Sequence, residues 1–439
     1  MKENGFPHAA YVFETESFAE STNISYSHIP PNSLITLLQK SLLYLRLEKS
    51  IKQARGNNNP LLQKEMQNIM NMFPSKNNDN PDDNMNGVKV GCVDKGVGKL
   101  LKGNRYGIKY CTWNPNGKKL AVLEENGLAI IWELNENGEF EKKFTIGDDA
   151  DLNAIKENKC FKKNISWSFD GKMIAIGEGK NTSIYTENGE LIFTTDSSSV
   201  LEFNPKNNLI IICTNQEPDF IVKLFDFRDD KMNLIENYQI HQGIVKDVCW
   251  RDEGMFVTAS DDKCVGECTV SGTKKVFRSH TSSVNCISFS CDKSMYATGS
   301  DDGTIHIWKD GRTMKILKGH SSCITSVDWH PTNPNIIISA SMDGTARVWD
   351  VLSGDTMFSF AHHSNSISVV KWYKSGEYIF TGENDNILAV WKIHDAKMLS
   401  AYSFDSKITY IDFDPSGENI TICFESPVVN IIPINSILK

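Results

Sequence analysis

The sequence lacks the features of several protein classes. Its 439 residues contain no apolar run near the roughly 20 residues that a membrane-spanning helix needs. The opening stretch, MKENGFPHAAYVFETES, has no apolar core of the kind found in signal peptides. Aspartate and glutamate (55) outnumber lysine and arginine (46), for a net charge of −9. The composition therefore argues against membrane-spanning, secreted and non-specific nucleic-acid-binding proteins.

Signatures of metal binding and catalysis are also missing. The 11 cysteines form no Cys-x-x-Cys pair, and Cys264 with Cys268 lacks the second pair that would complete a zinc site. Cysteines such as Cys249 in KDVCW lie in apolar segments, which indicates buried thiols in a reducing compartment, the cytosol or the nucleus. No phosphate-binding loop or isolated nucleophile stands out. The sequence predicts no catalytic residues, no metal and no cofactor.

What the sequence does contain is an internal repeat of 39 to 43 residues, measured from histidine to histidine. The four clear copies begin HQGIVKDVCW, HTSSVNCISF, HSSCITSVDW and HSNSISVVKW. An aspartate follows each histidine by 21 to 23 residues, and in three copies a tryptophan follows that aspartate by six. Such regular spacing indicates one repeat architecture rather than several unrelated domains.

Each copy is predicted to form four short strands. In the second copy these are VNCISFS, SMYATGS, TIHIWKD and TMKILKG, separated by turn residues such as DDG. A period of about 40 residues with four strands per unit is typical of a β-propeller blade. The stretch GTARVWD at 344–350, with the histidine and aspartate upstream of it, resembles the WD repeat family.

The aspartate, histidine and hydroxyl of each copy have the composition of a catalytic triad, but they recur in four copies, whereas a triad needs one exposed nucleophile at one cleft. A turn aspartate accepts backbone hydrogen bonds. The resemblance implies that the histidine bonds this aspartate, that a Ser or Thr bonds the histidine, and that the indole N–H bonds the hydroxyl. The implied structural sets are His280, Thr298, Asp302 and Trp308; His320, Ser339, Asp343 and Trp349; His363, Thr381, Asp385 and Trp391; and the partial set His241, Thr258 and Asp262.

Weaker copies extend the repeat on both sides. They lie at 110–134, 165–185, 201–227 and 408–434, which gives eight blades of about 42 residues, or seven if one weak copy is misread. The last copy leaves little chain for a fourth strand, while VGKLLKG at 97–103 is a spare strand upstream of the first. We expect that strand to complete the last blade and close the ring, which removes open sheet edges.

The resemblance to WD repeats also implies a protein-binding surface on the narrow top face of the propeller. The positions are the third and fifth residues after the histidine and the residue before the turn aspartate. They hold Lys109, Glu125, Ile244, Lys246, Asp261, Ser283, Asn285, Asp301, Cys323, Thr325, Met342, Ser366, Ser368, Asn384, Lys407 and Thr409. This mixture of apolar, amide and acidic groups suits a peptide with some positive charge; the alternative is that part of it is only solvated rim.

Residues 1–55 are predicted to be α-helical and distinct from the propeller at 96–439. NGFPHAAYVFETES has apolar residues at helical spacing and resembles the second half of a LisH motif, so the motif is truncated. A leucine stripe after Pro-Pro favours an oligomer core or a peptide groove over a cap on the propeller. Residues 56–95, rich in Asn and Asp, are predicted to form a flexible linker. The predicted oligomerisation residues are Phe6, Phe13, Leu34, Leu38, Leu42 and Leu45.

Together, the LisH half, the leucine helix and a DDKCVGECTV blade without its tryptophan resemble the transducin beta-like corepressor subunits, also called F-box-like/WD repeat proteins. The implied fold is all-β: an eight-bladed WD repeat β-propeller preceded by a short α-helical LisH-like region and a disordered linker. The implied function is a non-enzymatic scaffold in a nuclear histone deacetylase corepressor complex. Corepressor and deacetylase subunits would bind an N-terminal homo-oligomer, and the propeller would bind histone tails or transcription factors, without direct nucleic-acid or membrane binding.

Two other protein classes remain as alternatives. The F-box-like name permits a substrate-recruiting adaptor of a ubiquitin ligase, although the leucine helix is shorter than a full F-box. A propeller of the G-protein beta type would begin with one long heptad helix, which two short helices separated by Pro-Pro fit poorly.

Overall fold

The computed structural model describes residues 89–92, 98–147, 164–178, 181–196, 200–214, 220–228, 231–361, 365–383, 386–394 and 396–438. These residues belong to one compact unit, Val88–Lys439. The expectations for residues 1–55, with Phe6, Phe13, Leu34, Leu38, Leu42 and Leu45, lie outside the described residues, as do His363, Asn384 and Asp385.

Eight sheets form the eight blades of a propeller, as the repeat predicts, and their strands are antiparallel except for one added strand. Two strands precede the first blade: β1 (Lys89–Cys92) and β2 (Lys99–Lys102). Blades 1 and 2 contain β3 (Ile108–Trp113), β4 (Lys119–Glu124), β5 (Ala129–Leu134) and β6 (Phe140–Ile146), then β7 (Ile165–Trp167), β8 (Met173–Glu178), β9 (Asn181–Thr186) and β10 (Leu191–Asp196). Blades 3 and 4 contain β11 (Val200–Phe203), β12 (Leu209–Cys213), β13 (Val222–Arg228) and β14 (Lys231–Tyr238), then β15 (Val245–Trp250), β16 (Met255–Ser260), β17 (Cys264–Thr269) and β18 (Lys274–Arg278).

The second half of the ring continues the same order, from the innermost strand outward. Blades 5 and 6 contain β19 (Val284–Phe289), β20 (Tyr296–Ser300), β21 (Thr304–Lys309) and β22 (Arg312–Lys318), then β23 (Ile324–Trp329), β24 (Ile336–Ser341), β25 (Ala346–Asp350) and β26 (Thr356–Phe360). Blades 7 and 8 contain β27 (Ile367–Trp372), β28 (Tyr378–Glu383), β29 (Ile387–Lys392) and β30 (Lys397–Ser403), then β31 (Ile408–Phe413), β32 (Asn419–Phe424) and β33 (Val428–Pro433). One short helix, α1 (Ile434–Ile437), follows. Within the described ranges, no helix has the length and apolar character needed to cross a bilayer.

Six innermost strands share an irregularity in their pairing with the second strand, and β15 illustrates it. In β15, Val245, Val248 and Trp250 are buried, while Lys246 is half-buried. The irregularity is a bulge between the first and third residues of the strand. Val245 pairs with Ser260, but the next pair joins Asp247 to Ala259, which leaves Lys246 unpaired. The same shift occurs in β3, β19, β23, β27 and β31. A bulge leaves one residue out of the ladder and redirects its side chain.

The ring is closed by contacts between neighbouring innermost strands. Each of them packs against the innermost strand of the next blade, and β31 of blade 8 packs against β3 of blade 1. Tryptophans at the ends of these strands donate across the blade boundaries. The bonds are Trp167 Nε1 to the Thr112 carbonyl at 3.3 Å, Trp250 Nε1 to the Glu202 carbonyl at 3.1 Å, and Trp329 Nε1 to the Ser288 carbonyl at 2.9 Å.

Strand β2 completes blade 8, which confirms the expected ring closure. It pairs antiparallel with β33, from Lys99 opposite Ile431 to Lys102 opposite Val428. The first and last parts of the chain thus share one sheet, and the outer edge of β33 is covered.

Strand β1 lies within residues 56–95, for which the sequence predicts only linker. It pairs in parallel with β30, from Lys89 opposite Ser400 to Cys92 opposite Ser403, and gives blade 7 a fifth strand. The linker prediction therefore needs correction at 89–92. Its sequence, KVGC, contains only two apolar residues, too few to predict a strand.

We expect the buried side chain of β2 to be essential for closure. Leu101 is 4% exposed and its neighbour Leu100 is 43% exposed, so replacement of each by aspartate is a matched pair. Leu101→Asp should lower the free energy of unfolding by about 3 kcal/mol, because it places a carboxylate in the core. Leu100→Asp should change it by less than about 0.5 kcal/mol. Urea unfolding measures both, and equal losses would contradict a closing role for the buried face.

Candidate functional site

Blade 5 contains a complete hydrogen-bonded set. His280 Nδ1 lies 3.1 Å from Asp302 Oδ2, and His280 Nε2 lies 2.8 Å from Thr298 Oγ1. Trp308 Nε1 donates to the same Thr298 Oγ1 at 3.0 Å. A neutral imidazole that donates from Nδ1 to the carboxylate accepts the Thr298 hydroxyl proton at Nε2. The Thr298 hydroxyl therefore bonds both the indole of Trp308 and the imidazole of His280.

Blade 6 repeats this geometry with serine in place of threonine. His320 Nδ1 lies 2.9 Å from Asp343 Oδ2, His320 Nε2 lies 2.7 Å from Ser339 Oγ, and Trp349 Nε1 donates to Ser339 Oγ at 2.8 Å. Ser339 is fully buried. A hydroxyl that is enclosed and engaged by two partners is a structural group rather than an accessible nucleophile.

The electrostatics of these sets keep the histidine neutral and the aspartate charged. Burial lowers the pKa of His280 and of His320, against the opposing effect of their aspartates. Burial alone would raise the pKa of Asp302, but hydrogen bonds from the Thr304 hydroxyl and from the Thr281 and Thr304 backbone N–H groups hold it well below its usual range. The charged carboxylate thus fixes the turn between the second and third strands.

Blades 4 and 7 keep parts of the set. His241 lies 3.0 Å from Asp262 Oδ2 and 2.8 Å from Thr258 Oγ1, while Cys268 occupies the tryptophan position. In blade 7, Trp391 Nε1 donates to Thr381 Oγ1 at 2.9 Å. Within the described ranges, no three His, Cys, Asp or Glu side chains are grouped closely enough to hold a metal ion.

Blades 2, 3 and 8 lose the hydroxyl and the indole together. Strand registers place Ile176, Ile212 and Ile422 at the hydroxyl position, and Tyr185, Phe225 and Ile432 at the tryptophan position. Apolar replacement of both partners leaves no indole donor unsatisfied, which is less costly than removal of one.

Blade 1 has lost only one of these two partners. It keeps Trp132, but Val122 stands at the hydroxyl position, and Asn104 stands at the histidine position. Trp132 Nε1 and both amide atoms of Asn104 are buried without a hydrogen-bond partner among the described residues. An unsatisfied buried donor costs about 1–3 kcal/mol.

We therefore expect Val122→Thr to stabilise the propeller. The new hydroxyl would accept the Trp132 indole proton and raise the free energy of unfolding by about 1 kcal/mol. The control is the same substitution in a Trp132→Phe background, where the hydroxyl has no indole donor and no gain is expected. A gain of equal size in both backgrounds, measured by urea unfolding, would show that the indole is not the cause.

The bulges of the innermost strands create the top face, defined as the end of the ring where these strands begin. The residue left out of the ladder at each bulge is one of the predicted contact positions: Lys109, Lys246, Asn285, Thr325, Ser368 and Thr409. The turns between second and third strands lie at the same end and carry the exposed Glu125 and Met342, with the half-buried Asp261 and Asp301. The half-buried Ile244, Ser283, Cys323 and Ser366 and the exposed Lys407 precede the innermost strands.

Blades 4 to 6 are joined on the top face by a polar network. Lys246 Nζ lies 2.7 Å from Asp261 Oδ1 and donates to Asn285 Oδ1 at 2.9 Å. The Asn285 amide donates to Asp301 Oδ1 at 2.6 Å and to the Ile324 carbonyl at 3.1 Å. This network, with the Ser283 hydroxyl donating to Asp261, holds two carboxylates at the surface.

Three hydroxyls of the top face bond backbone carbonyls of the next blade. Thr325 Oγ1 donates to the Ile367 carbonyl at 2.6 Å, Ser368 Oγ to the Ile408 carbonyl at 3.0 Å, and Thr409 Oγ1 to the Ile108 carbonyl at 2.8 Å. These side chains therefore connect neighbouring blades in addition to lining the face.

Two groups of titratable side chains are absent from the sequence predictions. His306 stacks on His280 with ring centres 3.8 Å apart, and burial lowers the pKa of His306 to about 4. On the innermost strands, burial raises the pKa of Asp412 to about 6, although Lys371 opposes this. Alignment of the repeats would have found Asp412, Lys371 and Asp328 at one shared position before the strand-ending aromatic residue.

Comparisons with known proteins agree with the geometry. The WD domain, G-beta repeat family matches residues 271–309, 311–350 and 354–392. The human F-box-like/WD repeat-containing protein TBL1Y is 30% identical, over 86% of this chain and 86% of its own length. Mouse TBL1X is 29% identical over the same shares, and the WD40 repeat-containing protein HOS15 of Arabidopsis thaliana is 28% identical over 74% of this chain and 56% of its own length. The crystal structure of the C-terminal WD40 domain of Sif2 superposes with a TM-score of 0.64 at 18% identity, covering 77% of this chain and 99% of that one.

Proposed function

Because the chain belongs to the F-box-like/WD repeat-containing protein family, we propose that it is a non-enzymatic scaffold subunit of a nuclear, histone deacetylase-containing corepressor complex. Its propeller binds histone tails or regulatory proteins through the top face. The observation that carries the proposal is the similarity to TBL1Y across 86% of both chains. The buried, engaged hydroxyls of blades 5 and 6 support a scaffold over an enzyme.

The chemistry of the top face favours a basic peptide as the propeller ligand. Asp261 and Asp301 stand at the surface of neighbouring blades, held in place by Lys246 and Asn285. Met342, on the next blade, is 55% exposed and offers a flexible apolar contact. Lysine or arginine side chains of a histone tail would form charge-assisted hydrogen bonds with the two carboxylates.

The assembly function is assigned to the N-terminal region. Residues 1–55, with their leucine stripe, form a homo-oligomer that binds corepressor and deacetylase subunits, and residues 56–95 join this region to the propeller apart from β1. The two functions then lie on separate parts of the chain, so substitutions can separate them. Nuclear localisation is part of the proposal and follows from the same family resemblance.

Co-purification from nuclear extract tests the proposal. Leu38→Asp with Leu42→Asp should abolish deacetylase recovery and reduce the native mass by light scattering, because charges in the leucine stripe prevent helix association. Binding of an unmodified histone H4 tail peptide to the propeller should be unchanged in that variant. Asp261→Asn with Asp301→Asn should do the reverse, lowering peptide affinity by about 10-fold while deacetylase recovery is kept.

A matched control removes two carboxylates at the opposite end of the ring. Glu139→Gln with Glu190→Gln changes the net charge by the same amount at two exposed turn residues, and it should leave peptide affinity within about two-fold. Recovery of a cullin-type scaffold in place of a deacetylase would favour a ubiquitin ligase adaptor. Recovery of neither would overturn the assembly function.

A further inference from the structure

Glu267 is a charged residue at a position that is apolar in the other seven blades. The strand registers identify the equivalent residue on the third strand of each other blade, and each is a buried apolar residue that packs between blades. These residues are Ile131, Ile184, Leu224, Ile307, Val348, Val390 and Ile431. Glu267 is nearly as buried, at 7% exposure. A carboxylate at an apolar packing position lowers stability unless it is satisfied, and departures of this kind concentrate at functional sites.

The carboxylate has one fixed partner and one open oxygen. Tyr296 of blade 5 donates its hydroxyl proton to Glu267 Oε1 at 2.8 Å. Among the described residues Glu267 Oε2 has no hydrogen bond, and it is not one of the enclosed polar atoms that lack a partner, so it is in part accessible. It faces a cavity of about 270 Å³ between blades 4 and 5, which we call the blade 4–5 pocket. The turns around the pocket, at 251–255, 269–273 and 309–311, lie at the end of the ring opposite the top face.

Four cations line the blade 4–5 pocket. They are Arg251, Lys275, Lys293 and Lys309, against the two carboxylates Glu267 and Asp310. Lys275 pairs directly with Glu267 across the two outer strands of blade 4, so both side chains point to the same face of the sheet. Lys293 Nζ lies 5.4 Å from the ring centre of Phe289, another lining residue.

Within the described ranges, three of these four cations form no close ion pair. Arg251 pairs with Asp252 at 3.6 Å, whereas Lys275, Lys293 and Lys309 form no ion pair with any part of the chain that the structure describes. Because four cations and two carboxylates line the pocket, a surplus of positive charge remains there, which favours binding of an anion. In a chain whose net charge is −9, this is a local positive field.

We propose that the blade 4–5 pocket binds the oxyanion side chain, phosphoryl or carboxylate, of an acidic peptide segment. The lysines contact the oxyanion, and Glu267 Oε2 accepts a backbone N–H of the same segment. A nucleic acid is a poorer fit, because it needs a basic surface that extends along its backbone, whereas these cations surround one cavity. The pocket is thus a second protein-binding site, opposite in position and in charge preference to the top face.

Fluorescence anisotropy with three labelled peptides tests this proposal on the full chain. The peptides are Gly-Glu-X-Glu-Gly, where X is phosphoserine, glutamate or glutamine. We expect the phosphoserine and glutamate peptides to bind more tightly than the glutamine peptide, and their ranking identifies phosphoryl or carboxylate as the preferred group. Lys275→Gln with Lys309→Gln should raise the dissociation constant of the better peptide by at least about 10-fold.

Two controls distinguish the pocket from general attraction. Lys102→Gln with Lys118→Gln removes the same charge at exposed residues of blades 8 and 1, on the far side of the ring, and should change the dissociation constant by less than about two-fold. Asp261→Asn with Asp301→Asn on the top face should not weaken binding. Equal losses in the two lysine variants, or no binding of any peptide up to about 1 mM, would overturn the proposal without affecting the proposed scaffold function.

Discussion

Blades 5 and 6 depend on a buried hydroxyl that bonds two aromatic rings at once. In blades 5 and 6, Thr298 and Ser339 each accept an indole N–H and bond a histidine, whose other nitrogen bonds a charged turn aspartate. This sequence of bonds joins the third strand, the second strand, the loop before the first strand and the turn after the second. Because every member is satisfied and enclosed, the set defines the register of the blade and adds no chemistry.

Fixing the register has a consequence for function. The bulge at the start of six innermost strands displaces one residue, such as Lys246 or Asn285, toward the top face. The turn held by the aspartate presents the preceding residue, such as Asp261 or Asp301, at the same end of the ring. The buried set thus positions the side chains that we assign to ligand binding. At the opposite end of the ring, Glu267 and its surrounding lysines are positioned by contacts between blades and not by the hydrogen-bonded set of one blade.

Local spacing explains how much of the molecule could be predicted from sequence. The histidine, aspartate and tryptophan intervals lie within one blade, so they identified blades 5 and 6, and the strand at 97–103 was recognisable as a missing fourth strand. Contacts between blades leave no such interval. The Tyr296–Glu267 bond joins blade 5 to blade 4, and the pairing of β1 with β30 joins distant parts of the chain. The stacking of His306 on His280 lies within blade 5, but the other three clear copies have no histidine at the position of His306 to indicate it. The unsatisfied indole of Trp132 lies within blade 1, and it was identified from the strand registers, which place Val122 at the hydroxyl position.

Hydrogen-exchange mass spectrometry of the native protein and of Ser339→Ala tests the central claim most directly. If the Ser339 hydroxyl fixes the register of blade 6, its loss should speed amide hydrogen exchange throughout that blade. The affected amides should include those of Ser321 and Thr345, which donate to Asp343. Blades 2 and 3, which have isoleucine at that position, should exchange as before. Unchanged protection in blade 6, or a uniform increase around the ring, would contradict the account.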